Sequence, residues 1–177
     1  ETLQSLGAKT TLVSGPTNLT RPNVERVINV DSADQMLEAC ESSLPADIAV
    51  CAAAVADYKI ANKEIAKIKK DGSRQNIILE ENPDILERLS KRNHLRPKLV
   101  VGFAAETSNL ERNSDEKLSK KGCDWVLGNN VSENSIFNQD TNKIYFTSKL
   151  YSENWELMTK KEVAKKLCQK ISLHLNN

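Results

Sequence analysis

The chain lacks the marks of several common protein classes. Its four cysteines, Cys40, Cys51, Cys123 and Cys168, form no CxxC pair, and with only two histidines no zinc-site spacing appears. Four cysteines in 177 residues are also too few for a disulfide framework, so reduced thiols in a cytoplasmic setting are expected. The six glycines spell neither G-x-G-x-x-G nor a Walker P-loop. There is no G-x-S-x-G elbow, and neither histidine has an evident serine or cysteine partner. Charge of one sign is missing too: 25 Lys+Arg against 24 Asp+Glu leave a net +1. That excludes a broad nucleic-acid footprint, though not a locally basic site. The longest apolar run covers residues 48–56, well short of the roughly 20 residues that cross a bilayer. Neither nucleic acid nor membrane is expected as a partner.

What remains is a chain of single-domain length, residues 1–177, with 39% apolar residues. Residues 1–7 read as the last turns of a helix, with Leu3 and Leu6 on one face and Gly7 as the stop. A helix that ends there has its start upstream, and a strand and a loop are expected to precede it. Strands are expected at residues 10–14, 26–30, 48–55, 98–103 and 124–127, with two short ones at 144–147 and 155–158. Residues 48–55 are continuously apolar, the pattern of a strand buried on both faces. Helices are expected at 32–43, 83–93, 109–121 and 162–175. Ser32 and Gln35 give a capping-box signal, and Gly122 a C-terminal stop. This alternation predicts a Rossmann-like α/β fold: an open, mostly parallel sheet with helices on both faces. Two additions are expected. Residues 59–81 carry five lysines in their first twelve positions and an Asp71-Gly72 turn, which predicts a protruding β-hairpin or flap. Residues 132–142 read as a polar loop before a C-terminal hairpin.

Open α/β sheets bind ligands beyond the carboxyl ends of their strands. Here those ends are residues 14–17, 53–58, 102–107 and 128–130, all rich in small or polar side chains. Asn82-Pro83-Asp84 opens a helix, with Asn82 in the N-cap position and Pro83 first in the helix. A phosphate there would need a cation between it and Asp84. Lys117 and Lys121 share a helix face, and Lys67 and Lys69 alternate on one face of the flap, so the four can form a cationic pocket. Each lysine pair also reads as an ordinary solvated face. Tyr145 and Lys149 have Tyr-x-x-x-Lys spacing but cross a short strand and its turn, so they are read as coincidence. On these grounds alone the chain is a nucleotide-binding α/β domain, ligase or dehydrogenase.

A more specific likeness lies in five ordered segments: Val13-Ser14-Gly15-Pro16-Thr17, Ala53-Ala54-Val55-Ala56-Asp57-Tyr58, Lys67-Ile68-Lys69-Lys70, Asn82-Pro83-Asp84-Ile85-Leu86 and Val101-Gly102-Phe103-Ala104-Ala105-Glu106-Thr107. In them the sequence resembles phosphopantothenate–cysteine ligases, in bacteria usually the C-terminal half of a bifunctional coenzyme A biosynthesis protein whose other half is a flavin-dependent decarboxylase. The resemblance implies that 4′-phosphopantothenate is activated by CTP as an acyl-cytidylate and then joined to cysteine, releasing CMP and pyrophosphate. It implies Lys67 as the catalytic lysine. It further implies nucleotide contacts from Cys51, Ala52, Ala53, Asp57, Pro83, Asp84, Ile85, Leu86, Phe103, Lys117 and Lys121. Mg²⁺ bridging the triphosphate, no flavin in this domain, no protein metal site and a homodimer complete the expectation. An asparagine-bearing segment that precedes residue 1 in the family is absent from this sequence. An ATP-using member and a non-catalytic nucleotide-binding or assembly module remain the alternatives.

Overall fold

A computed structural model describes residues 1–62, 76–131 and 141–176. The elements in order are α1 (Thr2–Ser5), β1 (Thr11–Ser14), β2 (Arg26–Asn29), α2 (Ala33–Ser42), β3 (Ile48–Cys51), β4 (Tyr58–Ile60), β5 (Leu79–Glu81), α3 (Ile85–Ser90), β6 (Leu99–Glu106), α4 (Leu110–Lys121), β7 (Trp125–Asn130), β8 (Thr141–Ser148), β9 (Ser152–Thr159) and α5 (Lys160–Leu175). The central sheet runs β3-β6-β7-β8-β9. Its first three strands are parallel, while β8 and β9 add antiparallel. The expected C-terminal hairpin is therefore part of the main sheet. Strands β1 and β2 form a separate parallel pair. Strands β4 and β5 pair antiparallel from Tyr58↔Glu81 to Ile60↔Leu79, which gives the base of the expected hairpin. Its lysine-rich part, including Lys67, Lys69 and Asp71-Gly72, lies outside the described residues.

Alternation along β6 explains the layers. Successive side chains leave a strand on opposite faces. Leu99 and Val101 enter a core with Trp125, Leu127, Phe146, Trp155 and the α5 residues Val163, Leu167 and Ile171, with Phe103 packed against it. Val100 and Ala104 face the other way, with Leu86 of α3 and Leu118 of α4. Both faces of β6 are thus covered, and helices lie on both sides of the sheet as the sequence pattern predicts. The aromatic side is tightly built: Phe146 stacks on Trp155 at 5.8 Å, and Trp125 meets Phe146 edge-on at 5.4 Å.

The apolar run at 48–55 behaves differently from expectation. Strand β3 stops at Cys51 and sits at the edge of the central sheet, with Val50 38% exposed. Pairing with β6 ends at Cys51↔Gly102, and beyond that β6 pairs with β7. A continuous apolar stretch reports low polarity, not the number of neighbouring strands. Helix α4 ends as read, at Gly122 with φ +69°. Helix α2 begins at Ser32, whose hydroxyl accepts from the Gln35 amide at 3.2 Å.

Two glycines set how closely helices approach the sheet. A Cβ on Gly102 would meet Leu86 Cδ2 at 2.6 Å, and one on Gly128 would meet Ser114 Oγ at 2.3 Å and Leu110 Cδ1 at 2.8 Å. Ser114 is fully buried on α4, so little room exists to yield. Gly128→Ala is expected to push α4 off β7 and to cost about 1–3 kcal/mol, the usual range for overpacking. Denaturant unfolding measures this, and an unchanged midpoint would contradict the close packing.

Candidate functional site at the carboxyl edge of the sheet

Because β3 ends at Cys51, residues 52–57 leave the sheet at its carboxyl edge. They form one wall of a cleft of about 590 Å³. The start of α3 forms the opposite wall, Phe103 of β6 forms part of the floor, and α4 contributes Lys117, Lys120 and Lys121. Among the described residues, all eleven singled out for nucleotide contact line this one cleft: Cys51, Ala52, Ala53, Asp57, Pro83, Asp84, Ile85, Leu86, Phe103, Lys117 and Lys121. Lys67 lies outside the described residues. The rim segment 14–17 does not join them; it lines a separate cleft of about 620 Å³ beside β1 and β2. Residues 128–130 do not line the first cleft either. Sequence reasoning missed Lys120 and Glu87, which both line it, while Tyr58 of the 53–58 segment lines it as well. The adjacency of Lys120 to Lys121 and of Glu87 to Leu86 was the available signal.

The α3 start differs from the sequence reading. The N-cap is Asp84, not Asn82, and its Oδ1 accepts from the Glu87 amide at 2.8 Å. Both residue types cap well, so composition did not decide between them. The other Asp84 oxygen, Oδ2, pairs closely with Lys121 Nζ, which also lies 3.8 Å from Glu87 Oε2. A cation thus stands beside Asp84. Partial burial pushes the Asp84 carboxyl up, but the Lys121 and Glu87 hydrogen bonds outweigh it and hold the group below the usual aspartate value. The same Asp84 bond raises Lys121 against a smaller burial effect. Both groups stay ionised at neutral pH, so this corner is a fixed ion pair.

Lys117 is held differently. Its ammonium donates to the Phe103 carbonyl at 2.7 Å, and it forms no ion pair among the described residues. Among the described residues it makes no other side-chain hydrogen bond, which leaves the remaining N–H groups of its ammonium, three in all, to an anion in the cleft. Asp57 is exposed at the rim and likewise has no ion pair among the described residues. Cys51 is pushed up to about 12, first by burial and then by the neighbouring Cys40. It is a neutral thiol at the end of β3, not a nucleophile. The small side chains at 52 and 53 leave backbone accessible to a flat ligand. No group of three or more His, Cys, Asp or Glu able to hold a metal occurs among the described residues. No described helix is long and apolar enough to cross a membrane.

These features define a class: an open α/β protein whose carboxyl-edge cleft combines lysine ammonium groups, exposed backbone and carboxylates at its rim, an arrangement that suits a small anionic ligand. Residues 1–174 match the DNA/pantothenate metabolism flavoprotein C-terminal domain, and the chain belongs to that family. The coenzyme A biosynthesis bifunctional protein CoaBC of Haemophilus influenzae is 38% identical over 172 residues, which cover 97% of this chain and 43% of that protein. The chain therefore spans less than half the length of this relative. The crystal structure of the C-terminal domain of a CoaBC bifunctional protein superposes with a TM-score of 0.79 at 32% identity, covering 98% of this chain and 78% of that one. A Cab2 variant in complex with phosphopantothenate-cysteine shares the fold alone, with a TM-score of 0.60 at 17% identity over 86% of this chain and 55% of the other.

Proposed function

We propose that the chain is the ligase part of a coenzyme A biosynthesis enzyme, which joins 4′-phosphopantothenate to L-cysteine at the expense of CTP. The observation that carries this reading is the convergence of the rim loop 52–57, the α3 start and the α4 lysines on one cleft in a member of this family. In the proposed reaction the phosphopantothenate carboxylate attacks the α-phosphorus of CTP and expels pyrophosphate. The cysteine amine then attacks the acyl carbon of the acyl-cytidylate and expels CMP. The product is an amide.

The chief obstacle is electrostatic, because a carboxylate must approach a polyanion. Preorganised cations in a partly dry cleft lower that barrier. Lys117, anchored on the Phe103 carbonyl, is placed to meet phosphate oxygens, and Lys67 of the flap is the proposed catalytic lysine. Lys121 acts through Asp84: it neutralises the carboxylate at the α3 start that would otherwise repel phosphate. Mg²⁺ would enter with the triphosphate and neutralise phosphate charge. Of the two carboxylates in the proposed contact set, Asp57 fits that ion, since both oxygens of Asp84 are already engaged. No flavin is assigned to this part.

By the same reading the protein is cytoplasmic and homodimeric, and works fused to or beside a flavin-dependent decarboxylase. The relatives are named as bifunctional. The paired base of the hairpin exposes Tyr58, Ile60, Ile77, Ile78 and Leu79, an apolar arm suited to a second copy. The test is pyrophosphate release. It should require CTP and 4′-phosphopantothenate, with cysteine needed for release of CMP and for turnover beyond one pyrophosphate per site, and CTP should raise the melting temperature more than ATP does. Pyrophosphate release that continues over many turnovers without cysteine, or no release by the intact protein, would contradict the ligase reading. An equal or larger shift with ATP would assign the protein to the ATP-using branch.

A further inference from the structure

Val55 packs the first wall of the cleft against the core of Val30, Met36, Ile85 and Leu89, and one residue outside the proposed contact set ties that wall by hydrogen bonds. Residues 53–57 follow the end of β3 at an exposed rim, where the sheet no longer supports them. The Asn82 backbone N–H donates to the Asp57 carbonyl at 2.8 Å, continuing the β4–β5 ladder by one bond. The Asn82 side-chain amide donates to the Ala56 carbonyl at 2.9 Å. Pro83 follows and has no N–H, so the side chain supplies a donor that the backbone there lacks. Among the described residues, the hydrogen bonds that tie residues 53–57 to the rest of the fold run to Asn82.

The opposite wall begins immediately after this residue. Asn82 precedes Pro83 and Asp84, and Asp84 caps α3 and holds Lys121. A residue before proline is confined to extended conformations, which makes this junction stiff. With the cap supplied by Asp84, α3 does not need a polar side chain at 82. The remaining use of that side chain is to join the two walls.

We propose that Asn82 is a positioning residue that sets the spacing between the Asp57 rim and the Asp84–Lys121 corner, and so the affinity of the cleft for a nucleoside triphosphate. This rests on the reading of the cleft as a nucleotide site. Asn82 acts through Ala56 and Asp57 and takes no part in the bond-making steps.

The discriminating substitution is Asn82→Asp, which keeps the side chain's shape, removes the donor and turns a carboxylate toward a carbonyl. CTP affinity by calorimetry is expected to fall about tenfold, the effect of losing one well-placed hydrogen bond with partial compensation. In the ligase assay with the intact protein, KM for CTP should rise about tenfold while kcat stays within about threefold, as uniform-binding loss requires. A purely structural loss would reduce the amount of folded enzyme, lowering kcat at constant KM. Amide exchange across residues 53–58 should speed up in the unliganded variant, while exchange in β6 and β7 stays unchanged. Wild-type protein that binds CTP, with Asn82→Asp showing unchanged KM or only a fall in kcat, would overturn the clamp alone. Wild-type protein that binds no nucleoside triphosphate would overturn the nucleotide reading, and the clamp with it.

Discussion

Arg96→Ala is expected to lower stability by about 3 kcal/mol, the low end of the scale for stripping one partner from a buried ion pair, since this pair is only partly buried and several hydrogen bonds are lost with it. In a chain of this length that corresponds to a fall of roughly 6–12 °C in melting temperature. The guanidinium sits where α3, β6 and the α4–β7 turn meet. Nε donates to the Ser90 carbonyl at 2.7 Å, Nη1 to the Pro97 carbonyl at 2.9 Å, and Nη2 to Asp124 Oδ2 at 2.9 Å and, more weakly, to the Gly122 carbonyl at 3.4 Å. Asp124 Oδ2 also accepts from the Val100 amide at 2.7 Å. Removing Arg96 takes this donor from three carbonyls, two of them at helix ends, and leaves the partly buried Asp124 carboxylate with the Val100 amide alone among the described residues. Arg96→Lys restores a charge but not a planar fork, so it should recover only part of the loss. A melting temperature within about 2 °C of wild type for the alanine variant would show that the network carries little of the stability. This lock lies at the amino-terminal side of the sheet, away from the cleft. Nucleotide affinity of the folded variant should therefore be close to wild type.

Lys67→Gln is expected to lower turnover about 10²- to 10³-fold while the fold survives, the usual effect of removing one preorganised charge from a transition state that accumulates negative charge. The expectation comes from the Lys67-Ile68-Lys69-Lys70 segment and its resemblance to the ligase family. Steady-state kinetics with saturating CTP, phosphopantothenate and cysteine tests it, alongside a melting curve. A variant with wild-type kcat would remove Lys67 from the mechanism and leave Lys117 as the principal cation of the cleft.

Much of the architecture was legible because local signals and tertiary structure agree. Gly122 stops α4 in a left-handed conformation, as a glycine after a helical pattern should. Ser32 caps α2, and the apolar positions Val163, Leu167 and Ile171 of α5 face the sheet. Legibility failed where the deciding neighbour lies far away in sequence. The run at 48–55 looks like a central strand, but its pairing ends at Cys51 because β6 continues only with β7. The helix cap went to Asp84 because Asn82 is engaged with Ala56, a partner 26 residues earlier. Helix α5 starts at Lys160, two residues before the expected start, because Thr159 and Glu162 form a reciprocal capping box.

The candidate site shows the same division. Motif order brought the rim loop, the α3 start and the α4 lysines to notice, and they line one cleft. Their inequality was not legible. Lys121 is bound to Asp84, whereas Lys117 rests on a carbonyl and keeps its charge available. Sequence spacing gives both lysines the same helix face, and only the position of α3 relative to α4 separates them.

The central claim is that this cleft binds CTP with its phosphates against Lys117. A crystal structure of the protein with CTP tests it most directly. The account predicts the nucleotide between residues 52–57 and the start of α3, with a phosphate oxygen within hydrogen-bond distance of Lys117 Nζ. CTP bound elsewhere, for instance in the cleft beside β1 and β2, or a phosphate chain turned away from Lys117, would contradict it.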